Sequence, residues 1–349
     1  MRRITQSILA MATAGSILAG TAAAAERPSV VLSFASTFPS DMALIGDAAI
    51  ELPRRISRAS GGEVELRFYE PGVLVPALET LHAVAGGTVD AGWGGAGWFA
   101  QADIAFNLFS AVPFGPGIGE YMAWLYYGGG LEMAREMFAE HDLYNLPCAL
   151  IPPEASGWFR REIRSVADLR GLRMRFFGLG AQVMEKLGVD TRLMVPGEIR
   201  GALASGELDA AEFSLPAMDQ SLALHEVARY HYFPGWHQQA TFFDLYVNLQ
   251  VWNGLADRHR AIIELACGDM MRDTIARGEA MQWKAMQEMQ ASGVQVRRWS
   301  PEIIAAMESA WNELVAEHAA KSPNFRRIYA SYETFRRNYT IWRDHAYLK

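Results

Sequence analysis

Glu154, Arg175 and Glu212 carry the side chains of this 349-residue chain whose types and setting suit chemistry. All three lie between residues 152 and 213, in a segment that opens PPEASGWFRREI, passes through LRMRF and closes ELDAAEF. In LRMRF, Leu172, Met174 and Phe176 alternate with Arg173 and Arg175, the period of a strand. An arginine near a strand's end aims a planar fork of donors that suits a carboxylate. Glu154 follows two prolines that stiffen its loop, and Glu212 stands in the apolar run Ala210, Ala211, Phe213 at a strand's end. Two acids beside a guanidinium fit a pocket for a small charged solute. The acids are also open to other readings: general acid and base, cation ligands, or solvated surface groups. Farther on, His231, Trp236, His237, Gln238 and Gln239 form an aromatic and amide cluster, in which Trp236 reads equally as pocket wall or core filler.

These residues need a scaffold, and the pattern supplies an α/β one. Residues 29–35 (SVVLSFA), 63–69 (EVELRFY) and 88–94 (TVDAGWG) read as strands, with helices over 42–60 and 76–85 between them. Strands alternating with helices of this length imply β-α-β units and mostly parallel sheets. Residues 146–151 read as a strand leading to Glu154, 221–227 as helix and 242–249 as another strand. An approximate internal repeat follows: Gly87-Thr-Val-Asp90-Ala91 and Gly206-Glu-Leu-Asp209-Ala210 each end a helix and lead into a strand finished by an aromatic, Trp93 or Phe213. Both aspartates read as structural, each capping a turn. Two similar lobes place their strand ends on a common cleft, where ligands bind in open parallel sheets. Residues 257–292 are helical throughout, roughly 50 Å if continuous and long enough to lie across both lobes, with Gly278 a candidate kink. Residues 301–349 give further amphipathic helix.

The first residues are a secretory signal: Arg2 and Arg3, an apolar run over 8–19, and an A-x-A site at residues 23–25. That run is well short of the ~20 residues a bilayer crossing needs. The formal charge is −7, cleavage makes it more negative, and no basic cluster interleaves with aromatics, which excludes a nucleic-acid binder. Cys148 and Cys267, the only cysteines, are expected as two buried thiols, with pairing open to an exported chain. Enzyme signatures are missing or broken. His225-Glu226-Val-Ala-Arg229 lacks the second histidine of a zinc protease helix. Gly178-Leu-Gly180-Ala-Gln-Val183 lacks the third glycine of a dinucleotide loop. No two histidines stand at zinc-ligand spacing.

The run SVADLRGLRMRFFGLGAQVMEKLG, with LASGELDAAEF after it and PFG and YYGGG before it, resembles the solute receptors of TRAP transporters, the DctP-like family, and within it the subgroup that binds 2-oxo and 2-hydroxy carboxylates with a metal ion. FYEPGVLVP, GWFRREI, YFPGW and FRRNYTIWRD extend the likeness over essentially the whole mature chain. The resemblance implies a two-lobed periplasmic binding protein fold, α/β with mostly parallel sheets, a long lobe-spanning helix and a helical C-terminal tail. It implies lobe I from residues 26–150 and 215–250, lobe II from 151–214 and 251–300, and a tail over 301–349. It implies that Arg175 anchors a carboxylate, that Glu212 and the backbone of Phe213 hold a metal, and that Trp93 and Trp236 wall the pocket. Glu154, typically glutamine in that subgroup, is a departure. A solute carboxylate and two glutamates against one arginine leave about two uncompensated negatives. This favours a divalent ion such as calcium over sodium, with Glu154 among its ligands, or else a polyol or amino acid derivative touching Glu154 directly.

The expectation is therefore a periplasmic, non-enzymatic receptor for a small organic acid that delivers it to a membrane permease, with a homodimer plausible through the C-terminal helices. The rival of another class is a periplasmic hydrolase or lyase using Glu154 and Glu212. Arg175→Ala is expected to abolish carboxylate binding with little loss of fold.

Overall fold

Short runs of two to nine residues, the longer ones apolar and punctuated by glycine and proline, become the strands of two sheets. The computed structural model describes residues 28–346, so the expected signal peptide lies outside the described residues. The strands described are β1 Val30–Ser36, β2 Val64–Tyr69, β3 Ala91–Gly94, β4 Leu143–Ile151, β5 Gly157–Phe159, β6 Arg173–Arg175, β7 Asp190–Arg192, β8 Ala210–Ala211, β9 Tyr230–Phe233, β10 Thr241–Asn248 and β11 Gln295–Arg298. The first sheet runs β2-β1-β3-β10-β4 and the second β11-β9-β5-β8-β6-β7. Helices pack on both, giving the expected two-sheet α/β fold.

Both sheets are mixed, and the exceptions to parallel pairing have one cause. The chain crosses between the sheets at residues 152–156 and again at 234–240. The strand entered after each crossing, β5 and then β10, is inserted antiparallel to both of its neighbours. The segment 215–250 is accordingly divided, with β9 in the second sheet and β10 in the first. The crossings run side by side: the Glu154 N–H donates to Gln238 O at 3.0 Å, and the Ser156 N–H to Tyr232 O at 2.8 Å. Gly235 is required there, because a Cβ would meet Glu154 O at 2.1 Å, well inside contact.

The repeated aspartates are structural, though neither caps a turn. Asp90 accepts from the Ser33 N–H (2.8 Å) and Oγ (2.7 Å). Asp209 accepts from the Arg173 N–H (3.0 Å) and from its guanidinium. Each latches the strand next to its own, β1 beside β3 and β6 beside β8, both parallel pairs. Gly87 and Gly206, at φ 70° and 81°, turn the chain out of the preceding helix.

The helix Asp257–Ala291 is continuous through Gly278. Gly278 serves close approach instead of a kink, since a Cβ there would meet Pro152 Cδ at 2.6 Å, at the root of the first crossing. Arg277 clamps the helix to the first lobe through a bidentate pair with Asp47, both contacts 2.9 Å. Cys148 and Cys267, expected as thiols, are joined in a disulfide that ties β4 to this helix. Packing of the helix on β4 brings their Cα atoms to 4.1 Å, a proximity that a sequence separation of 119 conceals. The tail forms two helices, Pro301–Lys321 against the second lobe and Pro323–Ala346 against the first. Among the described residues, no helix is long and apolar enough to cross a membrane.

Several core groups are ionisable, and one of them is an acid within the first sheet. Asp244 in β10 is buried and accepts from Tyr246 Oη at 3.0 Å, and burial pushes its carboxyl up to about 7. The folded chain thus holds a proton that the unfolded chain releases near pH 4, so stability falls as pH rises from about 4 to 7 and stays low above that. Asp244→Asn is expected to flatten this slope and to raise stability at pH 8 by roughly 2–4 kcal/mol, measured by urea unfolding across pH.

Candidate functional site

The functional side chains gather where parallel strands end. Arg175 is the last residue of β6, and Glu212 follows β8 directly. Glu154 lies on the first crossing and His237 on the second. The carboxyl ends of strands from both sheets therefore face one cleft, as open α/β sheets arrange their ligand sites.

Arg175 is 1% exposed and Glu212 is fully buried. Arg175 Nη1 donates to Glu212 Oε2 at 2.9 Å and to Glu212 O at 2.6 Å, while the Glu212 N–H donates back to Arg175 O at 2.9 Å. The guanidinium also lies 5.2 Å from the centre of the Phe213 ring. Burial alone would raise the Glu212 carboxyl, but Arg175, aided by His237, outweighs it and holds the group below its ordinary value. Nη2 of Arg175 makes no hydrogen bond to the described residues and is left for a further acceptor.

Glu154, 3% exposed, has no such cation against it. Ser214 Oγ donates to Oε1 at 3.2 Å and Thr241 Oγ1 lies at 3.5 Å. With its amide nitrogen facing Glu154, the orientation that leaves no acceptor against an acceptor, Gln238 donates to Oε1 at 2.9 Å and Oε2 at 3.0 Å. Burial first, then the charges of Glu212 and Asp219, push the Glu154 carboxyl well above its ordinary value. Asp219 belongs to the supporting layer: it accepts from Trp158 Nε1 at 2.7 Å and from the Ser214 N–H at 3.0 Å, fixing the turn that carries Glu212 to Ser214.

His237 completes the cluster. Its Nε2 stands 3.4 Å from Glu212 Oε1 and 3.8 Å from Glu154 Oε2, and one ligand atom from each of the three residues lies within 4.8 Å of the others. Glu212 Oε1 and both nitrogens of His237 are buried without a hydrogen-bond partner. Orphaned donor atoms of this kind, converging from three buried residues, fit a bound cation. The carboxylate oxygens suit a hard ion such as calcium or sodium, and the imidazole adds a nitrogen.

The cavity beside this cluster has both polar and apolar lining. Ser110, Glu154, Arg175, Ser214, Gln238 and Thr241 supply the polar side chains and Phe38, Ile45, Trp98, Phe177, Phe213, Met218 and Phe243 the apolar ones. Trp93 is absent from the lining. It is buried in β3 one layer behind, its Nε1 donating to the carbonyl of Ile45 at 3.0 Å. Trp236 is absent too, packed on Phe114 and Phe176. Trp98 and Phe177 stand at the cavity instead, and neither they nor the ligand position of His237 was singled out by sequence. Trp98 lies five residues from Trp93 in the turn after β3, and Phe177 lies two from Arg175, so proximity to strand ends was the available signal.

Comparison with known proteins agrees with this architecture. Residues 34–322 match the model of the bacterial extracellular solute-binding proteins, family 7. The chain belongs to that family, the solute receptors of TRAP transporters. A monocarboxylate 2-oxoacid-binding periplasmic protein of Nostoc is 33% identical over 289 residues, 83% of this chain and 79% of its own. A TRAP solute-binding protein of Bordetella bronchiseptica, a dimer with calcium and picolinate in one active site, superposes with a TM-score of 0.89 at 32% identity, covering 92% of this chain and 95% of that one. One from Pseudoalteromonas atlantica, holding sodium and pyruvate, gives 0.87 at 27% identity over 92% and 97%.

The burial of Arg175 corrects the expectation that its removal spares the fold. Arg175→Ala leaves Glu212 and Glu154 without a countercharge, and breaking a buried pair in this way costs about 3–5 kcal/mol. In chemical denaturation the double variant Arg175→Ala/Glu212→Gln is expected to regain part of that loss. A single variant as stable as the parent would remove the pair from any structural role.

Proposed function

We propose that this TRAP receptor captures a small 2-oxo or 2-hydroxy carboxylate between its two lobes, together with a metal ion, and presents it to a membrane permease. The observation that carries the reading is an Arg175 whose bonds use Nε and Nη1, leaving Nη2 open at the cavity, beside the unsatisfied ligand atoms of Glu212 and His237. Arg175 would fix the solute carboxylate with its open donor while Nη1 stays on Glu212. Glu154, Glu212 and His237, with the backbone of Phe213, would hold the ion. A cation there supplies the positive charge that lets an anionic solute lie beside two glutamates. Ser214, Gln238 and Thr241 hold Glu154 in place, and because they already engage its oxygens, direct contact with a polyol or amino group is the weaker reading. We read the protein as a receptor and not a hydrolase or lyase, since Glu154 and Glu212 converge on one point and the hydroxyls beside them, Ser214 and Thr241, are engaged in holding Glu154.

Closure of two lobes about the crossings supports release and capture, and only the shut, loaded form presents both lobes together to a permease. The disulfide between Cys148 and Cys267 supports placement in an oxidising compartment, the periplasm. Ile341 and Trp342, 72% and 60% exposed on the last helix, support pairing of two copies through that helix.

After chelation, thermal unfolding with pyruvate and calcium together is expected to rise well above either alone; a ligand at 100 times its Kd stabilises by about 2.7 kcal/mol. A shift from a polyol without metal, or from zinc regardless of the acid, would overturn the reading. Light scattering is expected to give a dimer mass, and Ile341→Ser/Trp342→Ser a monomer.

A further inference from the structure

The apolar lining of the cavity is built from both lobes at once. Phe38, Ile45 and Trp98 follow strands β1 and β3 of the first sheet, and Phe243 sits in β10 beside them. Phe177 and Phe213 follow β6 and β8 of the second. Phe38 holds Trp98 and Phe243 in edge contacts, ring centres 5.7 and 5.6 Å apart. Trp98 then reaches across to Phe177, with ring centres 5.2 Å apart and planes inclined at 31°. The approach is as close as the backbone permits: at Gly97 a Cβ would meet Phe177 Cζ at 2.8 Å and Asn107 Oδ1 at 2.9 Å. Phe177 itself is pinned at the start of the helix Gly178–Lys186, beside a glycine at φ 65°.

With this wall shut, little room remains. The cavity offers about 30 Å³ to the centres of water-sized molecules, space for roughly two or three of them. Arg175 is the one cationic side chain lining it, and Glu212 already occupies part of that guanidinium. A second carboxylate on the solute would find no second cationic side chain in the lining, a costly burial. A short hydrocarbon substituent would instead gain by leaving water.

Resting on the reading of the site as a carboxylate receptor, we propose that Trp98 and Phe177 are its specificity-determining residues. They form a wall that admits 2-oxo monocarboxylates with a short, uncharged, apolar substituent and turns away longer or charged ones. The Phe177 backbone hydrogen-bonds the Glu212 carboxylate, a contact that side-chain changes at position 177 leave in place, so the rings set which acid is held and not whether one is held.

Titration calorimetry in saturating calcium tests this with pyruvate, 2-oxobutyrate, 2-oxovalerate and oxaloacetate. The parent protein is expected to bind the first two within a few-fold of one another and 2-oxovalerate and oxaloacetate at least tenfold more weakly. In Phe177→Ala the order should invert along the hydrocarbon series, 2-oxovalerate binding as tightly as pyruvate or more so, while oxaloacetate stays weak. Trp98→Leu opens the same wall from the other lobe and should move the order the same way, which keeps the test available if one variant folds poorly. A uniform loss of affinity for all acids, with the order unchanged in both variants, would overturn the proposal and leave these rings a packing role. Absence of binding by every acid in the parent protein would instead overturn the carboxylate-receptor reading on which it rests.

Discussion

The ion pair between Arg175 and Glu212 is the interaction on which the rest of the site depends. It does more than balance two charges. The Glu212 N–H bond to Arg175 O and the Arg175 Nη1 bond to Glu212 O seal the ends of β6 and β8, so the pair fixes both strand ends and presents their following residues, Phe177 and Phe213, to the cleft. A buried pair is rarely a net source of stability, because desolvation offsets most of the attraction. Its retention in a fully enclosed place, with one guanidinium donor left open, makes sense as preorganisation: the arginine is held rigid in advance by a partner that is not the solute.

That pair would be of no use without the two crossings. Glu154 and His237 are far apart in the chain and belong to neither sheet, yet the crossings run so close that the Glu154 N–H bonds to Gln238 and only glycine fits at position 235. The crossings also dictate the mixed sheets, since a strand arriving from the other lobe enters between parallel neighbours in the opposite sense. The site therefore sits where the lobes are joined most tightly at one side, with the aromatic wall at Trp98 and Phe177 where they meet again. The long helix braces this arrangement, bound to β4 by a disulfide and to the first crossing by the contact of Gly278 with Pro152.

What was legible in the sequence followed from local pattern. Alternation in LRMRF, the apolar setting of Glu212 and the repeated glycine-to-aspartate step all report on strands and their ends, and Arg175 and Glu212 stand at such ends. The pattern of residues 257–292 gave the long helix almost to the residue. What was not legible depended on pairing over long distances. No spacing rule joins His237 to Glu154, and none sets Cys148 beside Cys267. Trp93 and Trp98 were equally aromatic and equally near a strand end; the strand's alternation turned one into the core, where it supports Ile45, and the turn after it released the other into the cleft. The role of Gly278 was hidden for the same reason, because a close contact with Pro152 leaves no mark on the helix's own periodicity.

The charge balance of the cavity joins these features into one argument. Glu154, Glu212 and Asp219 are buried within a few residues' reach of a single arginine, an arrangement that repels an anionic solute on its own. A cation and an acid that share such a site relieve the same repulsion, so each raises the affinity of the other by the same factor. On the proposed reading the receptor then responds to the two together far more than to either. The aromatic lining adds no charge to this balance. On the same reading it acts by the room it leaves, and the division of labour accounts for a cavity in which rings from both lobes surround one arginine and one glutamate.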